Sequence, residues 1–362
     1  LDTYQKSPQF AVTWSHSQDA KANPNQTFSA SVNFSTSGFD KQNSLSAQNY
    51  LRTQKSSSVS FTKKFENTPF NMSVNLRHSQ NSTDTTITLS LPEMTFSMAK
   101  IYPLRNKKRS GAAKWYEKFG INYTGNLRNS ITSKESELLQ KSLADDWKNG
   151  IRHSIPISLP NFNLMKFINV SPSFSYNEKW YFKKFDRSFH ANEIFYDDRG
   201  TASNIKVDTI TGLNRVFDYS YSLSASTNIY GMFMPLNADS KIKGIRHKMT
   251  PSFSFSYRPD FGDPRFGYWQ AVQVDTTGRI DYFDVNAGGI YGGSPGRGAS
   301  GAISFSVNNN LEMKMLDTKD TTKTDEEQKF RKVKIIDNLS FGSSYNLIAD
   351  SLNLAPISLR AR

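Results

Sequence analysis

Along most of the chain, large apolar and small polar residues alternate with a period of two. Phe28, Ala30, Val32 and Phe34 alternate with Ser29, Ser31, Asn33 and Ser35. Phe70, Met72, Val74 and Leu76 alternate with Asn71, Ser73, Asn75 and Arg77. The pattern returns at Ile87–Leu91, Phe119–Tyr123, Ile151–Leu159, Phe253–Tyr257, Ile303–Met315 and Leu339–Leu347. Successive side chains of a strand point to opposite faces, so each run predicts a strand with one apolar and one polar face. Tyr219–Ala238 lacks any formal charge and has the length of a spanning helix. On a helix Ser220, Ser222, Ser224 and Ser226 would ring the circumference. On a strand they share one face and Phe217, Tyr219, Tyr221, Leu223 and Ala225 share the other, which predicts a strand.

Several runs exceed the ~5–6 residues of a soluble strand and match the ~9–11 that cross a bilayer at a tilt. The polar face is built of Ser, Asn, Thr and Gln, which suits a water-filled interior. Aromatic residues gather near strand ends, at Trp14, Phe28 and Phe34, Trp180–Phe182, Tyr230 and Phe233, and Tyr268–Trp269, as interfacial girdles require. Short connections contrast with long polar ones expected at Leu127–Gly150, Lys183–Asn214, Phe261–Ser300 and Leu316–Val333, an arrangement with short turns on one side and long loops on the other. The expected fold is all-β: a transmembrane antiparallel up-and-down β-barrel, with about 14 strands in residues 1–362 and no second domain. A soluble β-sandwich has the same period of two, and the pattern alone leaves it open. Ser133–Asn149 has helical spacing at Leu138, Leu139, Leu143 and Trp147, which predicts a short amphipathic helix in a loop.

Composition fits this picture. The apolar fraction is low at 36%, yet aromatics make up 13%, which excludes a disordered chain. The net charge of +13 calls for an anionic partner. Cysteine is absent, which excludes a disulfide framework. His16, His78, His153, His190 and His247 have no metal-like spacing, and Gly288–Gly298 lacks the Gly-Lys-Ser/Thr ending of a phosphate loop and reads as an exposed surface loop. No enzyme and no cofactor is expected. Arg105, Lys107, Lys108 and Arg109, with Lys243 and Lys248, are candidate contacts for an anionic glycolipid head group. No recognition fold presents them to nucleic acid. Asp317–Lys334 carries both signs densely and reads as a solvated loop. Pro92, Pro156, Pro172 and Pro251 fall in or at the ends of alternating runs, as strand ends or bulges, or as pairing weakened so that a barrel can open sideways.

One segment resembles a known family. Gly244-Ile-Arg-His-Lys-Met-Thr-Pro-Ser-Phe-Ser-Phe-Ser-Tyr-Arg-Pro-Asp-Phe261 is similar to the strand pair with the pattern RH…P…Y.P in the C-terminal barrel of the LptD family of lipopolysaccharide-assembly outer-membrane proteins. Arg246, His247, Pro251, Tyr257 and Pro259 occupy the motif positions. Asn214–Gly231 looks like the strand before that motif, and Leu91-Pro-Glu-Met-Thr-Phe-Ser and Ile101-Tyr-Pro-Leu resemble earlier strands.

The resemblance implies a barrel of about two dozen strands in the Gram-negative outer membrane. It also implies a lipoprotein plug of the LptE kind, periplasmic bridge proteins that deliver lipopolysaccharide, and contact with membrane lipids. The glycan is expected to pass through the lumen and the lipid through a lateral seam. The chain departs from the family pattern in lacking a preceding jelly-roll domain and an aromatic terminal strand, which reads as an interior fragment of the barrel. A porin or plugged nutrient receptor, and less so a soluble adhesin, are the alternatives.

Overall fold

The computed structural model describes the chain apart from residues 1–8, 20, 37, 40–42, 44–52, 107, 109, 139–145, 197–199, 238–239 and 317–329. The described residues form β1 (Ala11–Ser17), β2 (Gln26–Ser35), β3 (Gln54–Lys64), β4 (Phe70–Asn81), β5 (Thr86–Ile101), β6 (Gly120–Lys134) and β7 (Lys148–Ser158). The short β8 (Phe162–Leu164) precedes β9 (Ile168–Phe189), and β10 (Phe195–Tyr196) and β11 (Ala202–Ser203) precede β12 (Ile205–Ser226). Then come β13 (Ile229–Phe233), β14 (Ile242–Arg258), β15 (Trp269–Gln273), β16 (Ile280–Asp284), β17 (Ser300–Leu316), β18 (Phe330–Asn346) and β19 (Ser358–Ala361). Among the described residues no helix is long and apolar enough to cross a membrane.

The main sheet has 15 strands, all antiparallel to their neighbours, in the order β1-β2-β3-β4-β5-β6-β7-β9-β12-β14-β17-β18-β19, with β8 on β9 and β13 on β14. Each strand pairs with the next long strand in the chain, the up-and-down order expected from the alternation. The register keeps like with like. One row runs Phe28, Phe61, Val74, Met94, Leu127, Ile151 and Trp180 across seven strands. Another runs Leu223, Phe255, Ile303 and Tyr345, and beside it, on the opposite face, lie Ser171, Ser224, Ser254, Ser304 and Ser344.

A slip of one residue would exchange the two faces, so the alternation excludes odd slips and leaves the choice among even ones to the packing of neighbouring strands. Hydroxyls bridge strands on the polar face: Ser173 to Ser222 at 2.6 Å, Ser252 to Ser306 at 2.7 Å and Thr88 to Thr132 at 2.9 Å. The apolar face of β12, β14, β17 and β18 is uncovered: Tyr221 is 48% exposed, Phe253 43%, Phe305 42% and Tyr345 45%. A sandwich would lay a second sheet over these rings, so an apolar wall of this extent is a surface for lipid. The fold is that of an outer-membrane β-barrel wall.

Several expectations need correction. The connections at Leu127–Gly150, Lys183–Asn214 and Leu316–Val333 are shorter, because strands run into them: β6 continues to Lys134, β9 to Phe189, β12 starts at Ile205 and β18 at Phe330. β9 and β12 are each 22 residues long, and pairs such as Phe185–Thr209 and Arg187–Val207 keep the ladder going where alternation has faded. The ladder here is held by backbone pairing, which does not require an apolar side.

Long and short connections are also not segregated by side. The end of the sheet that carries the short turn 65–69 also carries the long stretch 102–119. The opposite end carries the turn 82–85 and the long stretch 259–299. Of the helix expected over Ser133–Asn149, 139–145 lies outside the described residues; at its two ends Ser133, Lys134, Lys148 and Asn149 are strand. The loop expected at Asp317–Lys334 lies outside them up to residue 329, and Phe330–Lys334 is strand.

The prolines sit where a ladder is interrupted. Pro92 falls in a register shift against both neighbours, between the pairs of Ser90 and Glu93 with β6 and between the pairs of Asn75 and Arg77 of β4 with β5. Pro156 lies where the β6–β7 ladder jumps from Ser154 to Ile157. Pro172 lies between the last β7 pair, Ser173, and the β8 pair at Val170. Pro251 lies where β14 changes partner from β13 at Met249 to β12 at Ser252. A residue without an N–H is tolerated at such breaks.

Candidate functional site

The polar face is not bare. The connection 259–299 leaves β14, folds along the free edge of β12 and crosses the polar face to β6. Phe261 is fully buried beside Tyr181, Val216 and Tyr268, with Tyr219, Phe266, Trp269 and Ile290 packed around them. The Tyr268 hydroxyl accepts from the Phe217 N–H at 2.8 Å and donates to its carbonyl at 3.1 Å, occupying edge groups of β12 that β14 does not reach.

Further along, the Phe185 N–H donates to the Val285 carbonyl at 2.8 Å and Arg187 donates to the Asp284 carbonyl at 3.0 Å. Lys179 Nζ holds the Gly293 carbonyl at 3.0 Å, and the Tyr291 hydroxyl reaches the Asn126 carbonyl on β6 at 2.9 Å. Burial pushes the Tyr268 phenol up and the Tyr291 phenol up to about 12. Gly289 lies flat on the Tyr181 ring, where a Cβ would come to 2.6 Å. The stretch Gly288–Gly298 is therefore no free surface loop in its first half. Tyr268 and Trp269 belong to this cluster rather than to a girdle, and Tyr181 faces the polar side with them.

A cavity of about 660 Å³ opens on the polar face at the other end of the sheet, where β5 passes into β6. Ser158, Ser171, Ser173 and Ser224 form one wall, and Lys100, Tyr102, Arg105 and Lys118 face them from the end of β5 and the connection 102–119. Glu117 is buried and receives the Lys114 N–H at 2.5 Å and the Asn106 N–H at 3.3 Å, which ties this connection into shape. Sequence reasoning singled out Arg105 here but missed Lys100 and Lys118, which lie apart in sequence and carry no pattern.

A second polar constellation sits on the apolar face. Glu178 receives Arg215 Nε at 2.6 Å and Nη2 at 2.9 Å, the Trp180 indole N–H at 2.5 Å and the Tyr176 hydroxyl at 2.5 Å. His153, opposite Glu178 in register, meets the Tyr123 hydroxyl at 2.8 Å. Every polar group of the Glu178 carboxylate is thereby matched within an otherwise apolar row. The sequence gives no hint of it, because Glu178 and Arg215 are brought together only by the β9–β12 register.

The residues of the resembling motif do not converge. Arg246 points to the polar side and pairs with Glu312 at 2.7 Å, while His247, on the apolar side, meets Asn309 at 3.0 Å. Pro251 marks the change of partner already described, Tyr257 pairs with Tyr221 and Gly301, and Pro259 follows the end of β14. Of the basic candidates, Arg105 lines the cavity, Lys108 is exposed in the same connection, and Lys243 and Lys248 lie on the first half of β14. Lys107 and Arg109 lie outside the described residues.

A family model described as LptD protein matches residues 1–362. The chain belongs to the LptD family. It is an outer-membrane β-barrel protein of that family. No curated protein matches the chain. Among solved structures it is similar to a double mutant of the Serratia marcescens hemophore receptor HasR, in complex with its hemophore HasA and heme. That match has 7% identity and a TM-score of 0.23, over 89% of this chain and 48% of the receptor, so the LptD-family chain spans about half the receptor's length.

Proposed function

We propose that this LptD-family chain forms wall of a translocon that places lipopolysaccharide in the outer leaflet of the Gram-negative outer membrane. Its hydroxyl-lined face provides a wet path for the glycan, and the lipid passes sideways between strands. The observation that carries the reading is the register. Ser, Asn and Thr stand in continuous rows on one side of the sheet, and aromatic and aliphatic rows on the other are open to lipid. A sugar chain and an acyl chain need these two surfaces side by side. The interrupted ladders at Pro92, Pro156, Pro172 and Pro251 support local opening of the wall. A lipoprotein plug of the LptE kind and periplasmic bridge proteins are the partners this reading calls for. Depleting the protein in cells is expected to lower newly exposed surface lipopolysaccharide, read by labelling intact cells. Unchanged surface labelling after depletion overturns the proposal.

A further inference from the structure

The cavity between β5 and the β9–β12 wall has three properties of a carbohydrate site with an anionic substituent. First, it carries excess positive charge. Lys100, Arg105 and Lys118 all face it, and no ion pair engages any of the three among the described residues; Lys100 instead lies 5.5 Å from the Tyr102 ring. The single acid at the wall, Glu117, is turned onto the amides of Asn106 and Lys114.

Second, the opposite wall is rich in hydroxyls, with Leu159 and Pro172 among them. Ser158, Ser171, Ser173 and Ser224 stand in adjacent register positions of β7, β9 and β12, joined by Asn161. Hydroxyl and amide groups both donate and accept, which suits the polyol edge of a sugar. Third, the Tyr102 ring lies at the mouth and is 40% exposed, a flat apolar surface against which a sugar face can rest. The volume of about 660 Å³ lies within the ~300–1,000 Å³ of small-molecule sites and is far larger than a lone phosphate requires.

We infer that this cavity is a binding site for a phosphorylated sugar, with Lys100, Arg105 and Lys118 holding the phosphoryl group and the serine wall holding the sugar hydroxyls. The inference rests on the proposed lipopolysaccharide path, because it names the point on that path where an anionic head group is held. Lys and Arg contacts to phosphate are charge-assisted and screened by salt, so binding weakens as salt rises. The placement at one mouth of the polar face, rather than midway along it, makes the cavity a station for entry or exit of the glycan.

The test uses the protein folded in detergent micelles, and three probes: a glucosamine disaccharide bearing phosphates, the same disaccharide without them, and inorganic phosphate. Calorimetry or ligand-observed NMR is expected to show binding of the phosphorylated disaccharide that falls with salt and exceeds that of either other probe. The triple variant Lys100→Gln, Arg105→Gln, Lys118→Gln is expected to lose at least about tenfold in affinity. A charge-matched control, Lys64→Gln with Lys332→Gln and Arg360→Gln, is expected to stay within about twofold. Heat-modifiable migration on gels verifies that both are folded, and Arg105→Gln alone provides the reading if the triple variant is not.

Absence of binding, equal binding of the unphosphorylated disaccharide, or equal loss in variant and control overturns the site. Phosphate binding as well as the disaccharide does would also overturn it, in favour of a simple anion site. The depletion experiment is separate: normal surface lipopolysaccharide with intact cavity binding overturns the transport reading alone. Reduced surface lipopolysaccharide with no cavity binding overturns the site alone.

Discussion

Phe261→Ala is expected to release the connection 259–299 from the polar face without unfolding the wall. Phe261 has no exposed surface and its ring lies 5.1 Å from Phe266, 5.6 Å from Tyr219 and 6.5 Å from Tyr268, centroid to centroid. Removing a fully buried phenyl ring costs about 3–5 kcal/mol, the sum of lost transfer energy and the void left behind. The β14–β17 ladder runs without interruption from Gly244 to Arg258 and has no share in this cluster, so the cost falls on docking of the connection.

Each ~1.4 kcal/mol is tenfold in an equilibrium, so even the lower figure raises the undocked population about a hundredfold. Hydrogen exchange with mass spectrometry reads this directly. The amides of Val285 and Phe185, bonded to the Tyr268 and Val285 carbonyls, are expected to exchange about a hundredfold faster, and peptides of β17 unchanged. Uniform acceleration through β14 and β17 would show that the cluster is part of the wall's own core and refute the reasoning. No acceleration anywhere would show that the hydrogen bonds from Lys179, Arg187 and Tyr291 hold the connection by themselves.

Glu178→Ala is expected to destabilise the wall by about 1–3 kcal/mol in urea unfolding, because it leaves Arg215, Trp180 and Tyr176 without their shared acceptor on an apolar face. The double variant Glu178→Leu with Arg215→Met is expected to recover most of that loss, and a purely additive pair would contradict it. Pro251→Ala is expected to change stability by less than about 1 kcal/mol because β14 changes partner there, whereas Ser306→Pro, inside the unbroken β14–β17 ladder, is expected to block folding as judged by gel migration. The Tyr291 phenol, pushed by burial to about 12, is higher in the docked state than free at ~10. Its contribution to docking is complete below the free value and is lost as pH rises from there through the docked one. Tyr268 also titrates late, so phenolate absorbance is read as a difference: Tyr291→Phe is expected to remove the component that titrates near 12 and to leave the other late phenols in place.

The strand faces were legible in the sequence because the period of two is imposed by backbone geometry alone. Phe253, Phe255 and Tyr257 had to share a side, and the serines between them the other, whatever the partners were. The long apolar rows and the Ser/Asn composition also excluded a helix at Tyr219–Ala238. Strand ends were legible only within the bilayer. At Lys183–Phe189 the ladder continues without alternation, because Phe185, Asp186 and Arg187 are met by the connection 259–299 and no continuous apolar row is needed there.

Sites were a matter of tertiary structure. The Glu178–Arg215 pair depends on which residue of β12 stands opposite Trp180. The cavity at Lys100, Arg105 and Lys118 depends on how one connection folds back over strands far along the chain. Gly288–Gly298 reads as a free loop from its composition, and only the packing of Phe261, Tyr268 and Tyr291 lays its first half on the polar face. The sequence determined which residues of each strand share the apolar side and which the polar one, since that is local stereochemistry; that the apolar side is open to lipid is decided by the absence of a second sheet over it among the described residues. The tertiary structure decided what the watery side holds, because contacts between distant segments are set by register and by the path of the connections, and no local pattern encodes either.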